Sequence, residues 1–269
     1  MDKRNKQKRN KQKRTAGDII RTIIIIAALA VFLFSAVQLA KIFMEYKKGT
    51  DEYDRVREYV ATPVPEEEEE AQEPVEEEET KPISPQVDWT NLKAINGDII
   101  GWIQIEGTEI SYPIVKGTDN SYYLKHTFEK NTNAAGAIFI DYTNSSDFQD
   151  CNTIIYGHNM KNGSMFGLLR KYFKDESSVP GKYIWICTPE KNYRYEIFSS
   201  HVVDATGETY TLFPEANELF ASYVDSMKQK SVVDFGTEVT KDDKVITLST
   251  CTGNDATRFV VQAKREGEY

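Results

Sequence analysis

The 269 residues are 40% hydrophobic and 28% charged with a net charge of -9, enough chain for one domain with a sizeable core. The charge is unevenly placed: residues 1–22 hold nine Lys/Arg against Asp2 and Asp18, and residues 66–79 hold ten Glu and no base. Residues 81–269 hold 19 Lys/Arg against 25 Asp/Glu, a mildly acidic balance that argues against nucleic acid as a partner.

The basic opening, MDKRNKQKRNKQKR, reads as a topology signal because a long apolar run comes next. From Ile23 to Ala40 the stretch IIIIAALAVFLFSAVQLA holds 18 residues without a charge. Extended to Met44, with Lys41 snorkelling, such a helix is about 33 Å long. That matches the ~30 Å of a bilayer's hydrocarbon. No small-x-small cleavage site comes after it, so 23–44 is expected to be an uncleaved membrane anchor. Positive charge before it and glutamate after it place 1–22 in the cytoplasm and everything past Met44 outside, in the cell-membrane topology of a single-pass protein. EYKKGTDEYDRVREYV then continues as a short polar helix. The Glu/Pro-rich stretch after it, with five prolines from Pro63 to Pro85, is expected to be extended. Residues 45–85 thus read as helix and stalk, and the folded domain as 86–269, with its core beyond Lys81.

That domain opens with a short helix near Asp88–Ile95 and continues β-rich. Eight short β-branched or aromatic runs are each bounded by Gly, Asn, Asp or Pro: IIGWIQI, EISYPIV, GAIFI, NTIIYG, YIWICT, NYRYEIFSSHVV, KVITLST and RFVVQAK. Two helices interrupt them. SMFGLLRKYF (164–173) has Ser164 as N-cap, and PEANELFASYVDSMKQK (214–230) has Pro214 in its first turn. A mostly β, closed or nearly closed eight-stranded barrel is the expected fold, since closure removes exposed edges.

The three cysteines show no C-x-x-C spacing, and an odd number leaves at least one thiol unpaired. Cys187 lies in a strand pattern and Cys151 just before one, so both read as structural. The histidines, His126, His158 and His201, fit no zinc spacing, and no Gly-rich phosphate loop is present, so neither metal nor cofactor is implied. Nucleophilic catalysis remains. Cys251 ends KVITLST, and Arg258, seven residues on, opens the next run; antiparallel pairing across the turn brings both to one rim. His158 ends NTIIYG in the same way and enters a loop. A cysteine needs a base or cation beside it to attack, and an arginine's N–H fork suits a carbonyl-derived oxyanion.

TLSTC, the Arg-opened strand after it and the upstream segment YGHNM…NGSMFGLL resemble the sortases, specifically class B. The likeness runs from NGDIIGWIQIEGTEISYPIV to RFVVQAKRE. It implies an eight-stranded barrel with a long helix, here 214–230, between the sixth and seventh strands. It also implies an extracytoplasmic cysteine transpeptidase of Gram-positive bacteria that cuts an Asn-Pro-x-Thr-x-like sorting motif after its threonine. The partners implied are secreted proteins bearing that signal and an accepting amine of a peptidoglycan precursor or a pilin. In those terms Cys251 is the nucleophile, His158 the acid and base, and Arg258 the oxyanion donor. The loop DATGETYTLF (204–213) is where the resemblance puts a wall of the substrate groove, with Thr209 and Tyr210 as contacts. Ser249, two residues before Cys251, shares its strand face. Two other classes fit fewer residues: a papain-like or cell-wall cysteine endopeptidase places its Cys at a helix start with His downstream, and a decayed peptide-binding domain has no need of all three residues.

Overall fold

A computed structural model describes residues 16–61 and 82–269. The first fifteen residues of the basic tail, and residues 62–81 of the expected stalk, lie outside the described residues. The first helix, α1 (Ala16–Arg57), passes through two compact units, Met1–Glu45 and Tyr46–Tyr269. In the first unit its isoleucines, leucines and phenylalanines are exposed, and the helix is long and apolar enough to cross a membrane by length and composition.

In the second unit α1 is part of the fold. Gly49, Glu52, Tyr53 and Val56 recur at the spacing of one helix face and are buried. The folded unit therefore begins at Tyr46, ahead of the boundary expected at residue 86. The charged residues around this stripe hide it in the sequence. Strand β1 (Val60–Ala61) then pairs antiparallel with β2 (Gln86–Val87), so both ends of the expected stalk are held on the folded unit. A chain starting at residue 81 lacks Tyr53 and Val56, which belong to the main core. Burying one large apolar side chain contributes about 1.5–3 kcal/mol, so that chain is expected to melt well below one starting at residue 46. Circular dichroism melts of the two chains check this; equal midpoints would show that residues 46–61 add nothing.

The barrel strands are β3 (Ile99–Ile105), β4 (Ser111–Val115), β5 (Ile138–Ile140), β6 (Asn152–Tyr156), β7 (Tyr183–Cys187), β8 (Asn192–Asp204), β9 (Val245–Cys251) and β10 (Thr257–Glu268). They match the eight runs read from the sequence and close in the order β10-β8-β7-β3-β4-β5-β6-β9. Pairing is parallel at β4–β5 and β6–β9 and antiparallel elsewhere. Trp102, Ile103, Ile114, Ile155, Ile186 and Leu248 are fully buried in the core. The β3–β4 turn needs glycine: Gly107 has φ +73°, and a Cβ there would sit 2.9 Å from the Pro180 carbonyl oxygen.

Asp88 caps α2 (Trp89–Ile95), accepting from the Asn91 N–H at 3.1 Å. Helix α3 spans only Leu169–Phe173, not 164–173. Ser164 does not cap it, because Met165 has φ 56° and donates its N–H to the Tyr112 hydroxyl. Helix α4 spans Glu218–Lys230, starting after the expected residue 214, with Asn217 as the cap of Leu219 and Phe220. It lies between the sixth and seventh barrel strands, as the resemblance implies, and builds a second small core from Phe220, Tyr223, Val224 and Met227.

His201 is a core residue, 2% exposed. The Ser199 hydroxyl donates to the Met227 carbonyl, so it accepts from His201 Nδ1–H at 2.9 Å. Burial first, and the Lys230 charge second, pull His201 down from 6.5 to about 4. The unfolded chain takes up this proton first as pH falls. The His201 contribution to stability is therefore expected to drop as pH falls from about 6.5 to about 4 and to level off below. In urea unfolding across that window, wild type minus His201→Gln should show a slope that approaches one proton.

Candidate active site

Strand register brings the three sequence-predicted residues to one rim. Across the β9–β10 hairpin Cys251 stands directly opposite Arg258. On the other side of β9, β6 runs parallel with Tyr156 opposite Ser249, and the Gly157 N–H donates to the Ser249 carbonyl at 3.1 Å. Cys251 follows Ser249 on one face of β9, and His158 lies two residues past Tyr156, just beyond the end of β6; both line one cleft. The Asn159 amide donates to the Cys251 carbonyl at 2.7 Å and extends the junction past the ladder. Gly157 is required: a Cβ would lie 2.5 Å from Ile138 Cδ1 and 2.5 Å from Phe166 Cδ2.

A cleft of about 230 Å³ opens at this rim, lined by Cys251, His158, Arg258, Ser249, Tyr210, Tyr156, Asn120 and Leu124 among others. His158 Nε2 lies 2.7 Å from the Leu124 carbonyl oxygen. A carbonyl only accepts, so Nε2 carries a proton. Arg258 Nη1 donates to the Asp255 and Thr257 carbonyls, each at 2.9 Å. Its Nε and Nη2 make no hydrogen bond among the described residues.

Beside the charged Arg258, the cleft offers neutral polar groups. The Tyr210 hydroxyl and Ser249 Oγ are 2.8 Å apart, and Tyr210 stacks on Tyr156 with ring centroids 6.3 Å apart. The Tyr156 hydroxyl and the Asn120 amide donate to Asp141 Oδ2 at 3.1 and 2.7 Å. Burial pushes the Asp141 carboxyl up, yet the bonds from Thr143, Asn120 and Tyr156 outweigh it and hold the group below its ordinary value. Burial and the Asp141 charge push the Tyr156 phenol up. Burial likewise raises Tyr210, although its Ser249 bond and the Arg258 charge pull the other way. Both tyrosines thus remain neutral hydrogen-bonding groups at physiological pH.

Thr209 is not brought to the cleft. It is 1% exposed, with its hydroxyl toward Met227 Sδ at 3.4 Å. In the 3₁₀ turn Glu208–Tyr210 successive side chains diverge by about a third of a turn, so Tyr210 faces the cleft while Thr209 faces α4.

The sortase-domain family model matches residues 103–266. The chain is 42% identical over 180 residues to sortase B of Listeria monocytogenes, covering 65% of this chain and 72% of that one. It is 33% identical over 177 residues to sortase B of Staphylococcus aureus, with 65% and 72% covered. Among solved structures, sortase B from B. anthracis in complex with AAEK1 superposes with a TM-score of 0.67 at 32% identity, covering 83% of this chain and 98% of that one. A Staphylococcus aureus sortase B–substrate complex gives a TM-score of 0.61 at 32% identity, with 66% and 83% covered.

The chain belongs to the sortase family. It is a sortase B-type cysteine transpeptidase that anchors surface proteins. The thiols of this sortase differ sharply in environment. Burial pushes Cys187 up to about 12 and also raises Cys151, whereas Cys251 is partly exposed. Brief treatment of the native sortase with iodoacetamide is expected to modify Cys251 alone, with loss of activity, and peptide mapping checks it. Equal labelling of Cys187 would contradict the burial.

Sequence reasoning missed Tyr156, Asn120, Leu124 and Asn159. Tyr156 was within reach, since it ends the strand that leads into His158. Asn120 and Leu124 come from the long β4–β5 connection and carried no sequence signal.

Proposed function

We propose that Cys251, as thiolate, attacks the threonine carbonyl of an Asn-Pro-x-Thr-x-like sorting motif. Arg258 donates to the oxyanion through the N–H groups not engaged by the hairpin carbonyls. The tetrahedral intermediate collapses as His158, in its imidazolium form, gives its Nδ1 proton to the leaving amine. This leaves a Cys251 thioester on the threonine. An amine of a peptidoglycan precursor or pilin then attacks the thioester, His158 takes up the proton, and the Cys251 sulfur departs. The neutral wall of Tyr210 and Ser249 offers hydrogen bonds to the peptide. The apolar part of α1 anchors the enzyme in the cell membrane, with its N-terminus in the cytoplasm and the barrel outside. The observation that carries this reading is that Cys251, paired with Arg258 across the hairpin, shares one cleft with His158, two residues past the end of the parallel neighbour.

The test offers the full chain, in detergent, a panel of sorting-motif peptides with and without small amines and stem-peptide amines. Products joined through the motif threonine are expected to accumulate with amine and to be replaced by the hydrolysed peptide without it. Cleavage at another bond, or no dependence on the threonine, would contradict the assignment.

A further inference from the structure

We propose that the segment Tyr46–Arg57 of α1 is a positioning element for His158, acting through Glu52 and Tyr53 on the β4–β5 connection. The inference rests on the acid–base role proposed for His158.

Among the described residues His158 Nε2 is held by the Leu124 carbonyl oxygen, so whatever fixes Leu124 fixes the ring. The connection around Leu124 folds back on itself: the Ala137 N–H donates to the Tyr123 carbonyl and the Asn133 N–H to the Lys125 carbonyl. Its closing turn lies against the histidine. Gly136 has φ +57°, and a Cβ there would be 3.0 Å from His158 Cδ2.

Two neighbouring residues of α1 hold this folded connection at both ends. Glu52 Oε2 accepts from the Thr127 hydroxyl at 2.8 Å and the Asn131 amide at 3.1 Å, and Oε1 accepts from the Glu129 N–H at 2.9 Å. The Tyr53 hydroxyl donates to the Gly136 carbonyl at 2.6 Å and accepts from the Phe128 N–H at 3.2 Å. Glu52 and Tyr53 are 4% and 2% exposed. Glu52 has no ion-pair partner among the described residues. A buried carboxylate satisfied only by neutral donors sets direction, where an apolar side chain would serve for packing alone.

Tyr53 reaches His158 by a second path. Its ring meets Tyr112 edge-on at 5.4 Å, and the Tyr112 hydroxyl accepts from the Met165 N–H at 2.8 Å. The next residue, Phe166, donates its N–H to the His158 carbonyl at 3.0 Å. The juxtamembrane helix thus braces the histidine from its side chain and from its backbone.

The experiment compares full-chain Tyr53→Phe and Glu52→Gln with Val56→Ala, a buried packing control on the same helix. Loss of one such bond should lower kcat by about 5- to 30-fold with KM within about twofold. The chain has three histidines, so [15N]histidine labelling resolves each ring. The His158 Nε2–H resonance is expected to lose its exchange protection in Tyr53→Phe and Glu52→Gln, and to keep it in Val56→Ala, which should only melt earlier. If the two bond-deleting variants instead match Val56→Ala, melting earlier with kcat and the resonance intact, the proposal is overturned. The resonance is read without substrate, so it tests the brace even if the assigned reaction itself fails.

Discussion

Cys251→Ala is expected to abolish peptide cleavage and acyl-enzyme formation at every pH while the barrel folds as before. Cys251 is partly exposed at a strand end and belongs to neither core cluster, so removing its sulfur should change stability by less than about 1 kcal/mol. The rate effect is of another order. Deleting the nucleophile of an acyl-transfer enzyme costs about 10⁶-fold in kcat, since the groups that remain have no bond to make. Cys151 and Cys187 are buried and cannot substitute. Chromatographic peptide release with circular dichroism of the same sample checks this. Retention of even a hundredth of the wild-type rate would show a second nucleophile or direct attack by water.

Arg258→Lys is expected to lower kcat by about 100- to 1000-fold with the charge retained, the loss typical of one oxyanion donor. The proposed role asks for more than charge. Arg258 commits Nη1 to two hairpin carbonyls, which fixes the guanidinium plane while its other N–H groups remain available. An ammonium is a point donor on a flexible stem and cannot hold the hairpin and face the oxyanion together. Single-turnover acylation of a sorting-motif peptide measures the effect. Near wild-type acylation by a folded Arg258→Lys enzyme would assign Arg258 a purely electrostatic part.

The sequence made local pairings legible and distant ones not. Cys251 and Arg258 flank one turn, so antiparallel register alone places them together. His158 joins them only because β6 runs parallel to β9, a long-range pairing that no local pattern encodes. The eight strands were visible because each is a short β-branched or aromatic run between turn residues. Helix α3 was read too long because Gly163 and Met165 take positive φ, which breaks the turn ahead of Leu169. Thr209 was misplaced because neighbouring side chains of a 3₁₀ turn point about a third of a turn apart, so Tyr210 alone of the pair faces the cleft. The largest difference is at Glu52 and Tyr53. A glutamate amid charges reads as solvated, and only the fold reveals the three donors that bury it.

The most direct test of the account is intact-mass spectrometry of the enzyme mixed with an Asn-Pro-x-Thr-x-like peptide and quenched in acid. The predicted adduct equals the peptide up to and including its threonine, linked as a hydroxylamine-labile thioester, and peptide mapping places it on Cys251. A wild-type adduct on any other residue, or peptide cleavage with the adduct absent even at the shortest quench times, would contradict it.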